Sequence, residues 1–126
     1  MCALVDAELT KKYVNKKKNT TYVKVYKRLT VDNNKLLAPF MYTEYKPGIN
    51  KSNSRAKLQT KNSAEINRGI HVYPNKEDAS RRVRGWEVIV EMKAKISDLI
   101  CLGSCDEAVF RKVELSQKEY DRALKQ

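Results

Sequence analysis

The chain has 126 residues, of which 26 are Lys or Arg and 15 Asp or Glu, with one His, three Cys, 41% apolar and 33% charged residues. That length fits one domain and the apolar share supplies a modest core, so wholesale disorder, a repeat array, a coiled coil and a collagen-like chain are excluded. No stretch approaches the ~18 uninterrupted apolar residues of a spanning helix. The opening MCALVDAELTKK has neither a charged n-region nor an apolar h-region, and three Cys without framework spacing suit a reducing cytosol, so the expectation is a soluble, cytoplasmic protein.

In chain order, residues 4–17 predict a helix with a thin stripe of Leu4, Leu9, Tyr13 and Val14, running into a Lys cluster and Asn19, so that 1–20 form an N-terminal helix and basic run. TYVKVYKRL, 21–29, alternates with period two, placing Val23, Val25 and Leu29 on one face and Tyr22, Lys24, Tyr26 and Arg28 on the other, which predicts a strand. Asp32, Asn33 and Asn34 predict a turn; 35–45 reads as an extended stretch interrupted by Pro39, closed by Pro47-Gly48. Residues 49–67 are rich in Asn, Ser and Lys and nearly free of bulky apolar residues, which predicts a long exposed basic loop or a frayed helix.

GIHVY, 69–73, predicts a short strand, and Asn75 is placed to cap a helix from 76 to about 84, with Glu77 and Asp78 in its first turn and Gly85 ending it. WEVIVEMKA, 86–94, predicts a central strand with Trp86, Val88, Val90 and Met92 inward and Glu87, Glu91 and Lys93 opposite. Strands at 98–103 and 108–115 and a last helix at 117–125, with Ser116 and Glu119 as a capping-box pair, complete the chain. This order implies one α+β domain over 1–126, with a mainly antiparallel sheet of about five or six strands and flanking helices.

The net charge of +11 is unevenly spread: 15 bases against 5 acids up to Asn75, net +10, and 11 against 10 beyond it, net +1. A one-sided field of this kind is the footprint of an anionic partner, and tyrosines at 13, 22, 26, 42 and 45 interleave the bases as in a stacking groove. The candidate nucleic-acid contacts are Lys16, Lys17, Lys18, Lys24, Arg28, Lys51, Arg55 and Arg68, binding phosphate without sequence readout. The expected partner is therefore nucleic acid, a nucleoprotein or an acidic protein, with no membrane role, since the run 10–18 has few apolar anchors.

Dedicated chemistry has little support. GxxxxGK[ST], GxGxxG and HExxH are absent. His71 lies in an apolar strand where a structural role is the simpler reading, and Cys2, Cys101, Cys105 and His71 lack zinc-knuckle spacing, so no metal and no cofactor are expected. Glu77-Asp78 and Asp106-Glu107 fit helix-start and turn roles, and Arg81, Arg82 and Arg84 complement a helix C-terminus or clamp phosphate.

The segments RGIHVYPNKEDASRRV, WEVIVEMKAKISDLI and AVFRKVEL, with YKRL and YTEYKPG upstream, resemble a group of small bacteriophage accessory proteins over roughly residues 22–115. That resemblance implies a protein acting in the host cytoplasm, one that engages nucleic acid or occupies a nucleic-acid site on a host machine such as a defence system, or an inhibitor of an acidic host protein. IHVY, Ala79 and VIVEM also resemble the RNA 2'-phosphotransferase and ADP-ribosyltransferase-like fold, which implies Arg28, His71 and Arg82 as site residues of a small transferase. That family's early Arg-His pair is here Lys27-Arg28, and the leading expectation is a non-enzymatic binding protein.

Overall fold

The computed structural model describes residues 3–38, 43–52, 58, 63–66, 69–103 and 106–125, with only the backbone of 3, 4 and 63–66. It is an α+β fold whose main sheet is six-stranded and antiparallel. The elements are β1 (Ala3–Val5), α1 (Ala7–Lys16), β2 (Tyr22–Asp32), β3 (Lys35–Leu37), β4 (Glu44–Tyr45), β5 (Gly48–Lys51), β6 (Ser63–Ile66), β7 (Ile70–Val72), α2 (Lys76–Arg82), β8 (Glu87–Lys95), β9 (Leu99–Leu102), β10 (Ala108–Phe110), β11 (Lys112–Leu115) and α3 (Gln117–Leu124). The main sheet runs β4-β3-β2-β8-β11-β5, a second runs β7-β10-β9, and β1 pairs with β6.

The long pair β2–β8 is the spine, in register from Tyr22↔Lys95 to Thr30↔Glu87. Alternation puts Val23, Val25 and Leu29 opposite Ala94, Met92 and Val88 on the inner face, all buried. Asn33 and Asn34, both at positive φ (50° and 60°), make the two-residue hairpin turn that brings β3 back onto β2, a conformation that asparagine tolerates. The smaller sheet closes over the inner face, contributing Ile70, Val72, Leu99, Leu102 and Phe110 to the same core. Tyr26 and Tyr73 exchange backbone hydrogen bonds of 2.9 and 2.7 Å, stitching the small sheet to the edge of β2.

Both terminal helices are fixed by caps. Asp6 accepts from the Leu9 N–H at 3.0 Å to start α1, and the buried Thr10 hydroxyl donates to the Asp6 carbonyl at 2.7 Å and accepts from the Leu102 N–H at 2.9 Å, which docks the helix on β9. Ser116 accepts from the Glu119 N–H at 3.1 Å, while the Glu119 carboxylate turns to Arg122, so one arm of the expected capping box forms. Gly69, at φ +125°, precedes β7 where a Cβ would lie 2.5 Å from Val109 Cγ1. Gly69→Ala is expected to destabilise the fold by about 2 kcal/mol, through left-handed strain and overpacking, measurable by denaturant titration.

Several expectations are corrected. The N-terminal helix starts at Ala7, because residues 3–5 pair with β6 instead. The 49–67 loop opens in β5, paired with β11, and closes in β6; between these strands only the exposed Leu58 and the start at Ser52 are described. Asn75 makes no side-chain cap; its amide donates to Asp78 at 3.3 Å, and the helix ends at Arg82, ahead of Gly85. The 108–115 strand is two strands separated at Arg111. Trp86 is exposed (64%) rather than inward, since it precedes the first paired residue of β8, whereas Glu87 is buried under Arg28. Pro39 lies outside the described residues.

Candidate nucleic-acid interface

The outer face of the β2–β8 spine is divided into two ends. At one end α2 packs against β2. There Arg28 donates to the Arg82 carbonyl at 2.7 Å, satisfying a helix C-terminal acceptor, and pairs with the buried Glu87 at 3.3 Å. Arg82 lies 3.7 Å from Asp106 and 5.6 Å from the centroid of the Tyr73 ring. The other end is open. It presents Tyr22 and Lys24 from β2, Lys93 and Lys95 from β8, Lys112 from β11, and Lys51 and Ile49 from β5.

Register sets like charges against each other at two places on this open end, while Glu114 of β11 stands opposite Lys93 on its other side. Lys24 stands directly opposite Lys93, and Lys51 directly opposite Lys112. Like charges in directly opposed cross-strand positions destabilise a sheet. None of Lys16, Lys17, Lys24, Lys51, Lys93, Lys95 or Lys112 makes an ion pair within 4.0 Å among the described residues. By contrast Arg28, Arg81, Arg82, Arg111 and Arg122 are all paired with carboxylates.

Tyr22 stands in the middle of this field, 44% exposed, with the Lys93 and Lys95 amines each 5.8 Å from its ring centroid. It borders two grooves. One, of about 270 Å³, is lined by Ile49, Lys51, Lys93, Ala94, Lys95, Asp98, Lys112 and Val113 together with Glu114, which stands between Lys93 and Ile49 in the sheet. The other, of about 540 Å³, lies between α1 and the Pro74 and Asp106–Glu107 wall; Lys16, Lys17 and Lys24 form its basic side. Lys16 and Lys17 come to this groove from the C-terminal end of α1, where the helix dipole favours cations.

Beneath the sheet lies a second group of polar side chains. Lys27 shares the inward parity of Val25 and Leu29, and its partly buried amine donates to the His71 carbonyl at 2.7 Å and sits 5.8 Å from the Tyr45 ring centroid. Burial pushes its pKa down to about 8, a shift that Glu107 opposes and Arg28 reinforces. His71 Nδ1 lies 3.4 Å from Glu107 Oε2, and its buried Nε2 has no hydrogen-bond partner among the described residues. Burial also raises the Tyr45 hydroxyl well above its ordinary range.

Of the residues singled out in the sequence, Lys16, Lys17 and Lys24 converge on one groove and Lys51 on the adjoining one. Lys18 is exposed in the turn after α1 and lines neither. Arg28 is held inward at the covered end, and Arg55 and Arg68 lie outside the described residues. Arg28 and Arg82 do meet, through a backbone carbonyl, whereas His71 turns to Glu107. Cys101 is free and buried among Val5, Ile100 and Val109, with its thiol pushed up to about 11; Cys2 and Cys105 lie outside the described residues. Among the described residues no three His, Cys, Asp or Glu side chains are grouped to hold a metal, and no helix is long and apolar enough to cross a membrane.

Lys93, Lys95 and Lys112 were not among the sequence candidates, although period-two alternation puts Lys93 and Lys95 on the face opposite Val90 and Met92. Comparison with family models, curated proteins and solved structures finds no match to this chain.

Proposed function

We propose that this protein binds single-stranded nucleic acid along the open end of the six-stranded sheet. The observation that carries the reading is the two pairs of directly opposed lysines, Lys24↔Lys93 and Lys51↔Lys112, around the exposed ring of Tyr22. Glu114, opposite Lys93 on β11, offsets only part of this like-charge repulsion, and a phosphate backbone laid across the lysines relieves the rest. Lysines serve phosphate as point charges and read no base edge, so affinity rather than sequence is their contribution. An exposed aromatic among them supplies a platform on which a base stacks, and unpaired bases alone offer a free face.

A strand bound in this way, by a protein of the small phage accessory type, would occlude it from a host enzyme without any reaction taking place. The transferase reading has weaker support, because Arg28 and Arg82 are engaged in holding α2 and Asp106. Tyr22→Ala is expected to weaken binding to a single-stranded 12-mer by about tenfold, within the ~1–3 kcal/mol of one stacked base, whereas Tyr22→Phe keeps it. Fluorescence anisotropy with matched single- and double-stranded probes checks this. Equal affinity for the two forms, with Tyr22→Ala unchanged, would contradict the reading.

A further inference from the structure

The larger groove has walls of opposite chemistry. Lys16, Lys17 and Lys24 form one, and Asp106 stands on the other, its side chain 54% exposed. Arg81 and Arg82 approach this carboxylate, their closest nitrogens 4.0 and 3.7 Å from Oδ2. An ionised carboxylate is acceptor-only, so Asp106 takes N–H donors, and Arg81 and Arg82 beside it balance its charge. The volume of about 540 Å³ falls within the ~300–1,000 Å³ of small-ligand sites. Tyr22 joins this groove to the lysine-edged groove on its other side, so one strand can run through both.

Resting on the single-strand reading, we propose that the larger groove takes one nucleotide of the bound strand, its phosphate on the lysine wall and its base edge on Asp106, and that this carboxylate selects guanine. Guanine carries two adjacent donors, N1–H and an N2 amino hydrogen, matched to the two oxygens of a carboxylate. Adenine and cytosine offer an amino donor beside an acceptor nitrogen, and thymine and uracil a single N–H between two carbonyls. The lysines then set how tightly any strand is held, and Asp106 sets which base is preferred at one position. Bidentate pairing of this kind discriminates between bases by roughly tenfold or more.

The test compares oligo-dT 12-mers, unsubstituted or carrying one internal dG, dA or dC, by fluorescence anisotropy with the full chain. One dG is expected to tighten binding about tenfold over oligo-dT, with dA and dC within about twofold. Asp106→Asn should bring the affinity ratio between the dG-bearing and unsubstituted 12-mers to about one, and that ratio, not the affinity for oligo-dT itself, is the readout. Asn keeps the side-chain shape and tolerates the positive φ of 61° at this position, so folding is not at issue. Oligo-dT binding with no dG preference, or a preference that survives Asp106→Asn, would overturn the base-selection proposal alone. Failure of every oligonucleotide to bind at low salt would overturn it together with the single-strand reading.

Discussion

Replacing Lys24 and Lys93 together with Gln is expected to weaken single-strand binding by about one and a half orders of magnitude at 0.1 M salt, because two phosphate contacts are lost and each contributes about 0.7 to the salt exponent. The folded protein should be unharmed. The two lysines oppose each other across β2 and β8, and removing such a like-charge pair returns roughly 0.2–1 kcal/mol to the sheet, part of which is lost again with the attraction of Lys93 to Glu114 opposite it on β11. Loss of the Lys93 amine from the Tyr22 ring offsets part of that gain, about 0.5 kcal/mol at an exposed site, and Lys95 still lies 5.8 Å from the same ring. Thermal denaturation and anisotropy titration on the same preparation check both halves. Binding that falls only in step with stability would make these lysines structural.

The second large effect is on stability against pH. Lys27 has its pKa lowered from 10.5 to about 8 in the fold, so between those values the unfolded chain binds more protons than the folded one. Stability contributed at this position is lowest below pH 8 and rises as pH increases toward 10.5. The swing is about 2–3 kcal/mol, the free energy of that shift allowing for partial exposure of the side chain. Lys27→Met removes the titration and keeps the apolar stem, so the difference in unfolding free energy between variant and parent should shift in the parent's favour by about 2 kcal/mol between pH 7.5 and 10. Above pH 10 both proteins lose stability, since burial holds the Tyr13, Tyr26 and Tyr45 hydroxyls protonated in the fold beyond their unfolded range. A pH-independent difference between the two proteins would show that the Lys27 amine is not desolvated as the inner parity of β2 places it.

The elements that alternate or carry a cap were legible in the sequence. β2 and β8 follow the period-two pattern of Val23, Val25 and Leu29 and of Val88, Val90 and Met92, and Ser116 caps α3 at the expected place. β1 and β5 were not legible, because ALV and GINK are too short to show a period and exist only by pairing with β6 and β11. Asp6, three residues before the N–H it accepts from, was an available start signal for α1.

The basic groove was partly legible through Lys16, Lys17, Lys24 and Lys51. Dividing the charge by chain position concealed Lys93, Lys95 and Lys112, since several of the acids that balance them in number are engaged with other cations, Glu87 with Arg28, Asp106 with Arg82 and Asp98 with Arg111, and among the described residues only Glu114 stands opposite one of these lysines. Lys27 was visible by parity with Val25 and Leu29, but a Lys within a basic strand reads as one more surface charge until the facing sheet is known.

The most direct measurement is the affinity of the full chain for a single-stranded 12-mer between about 50 and 300 mM salt. Engagement of four or more of the open-end lysines predicts micromolar or tighter binding at the low end, falling by about two to four orders of magnitude across that range. No binding at 50 mM, or affinity indifferent to salt, would contradict the account and leave the lysine face to an acidic protein partner.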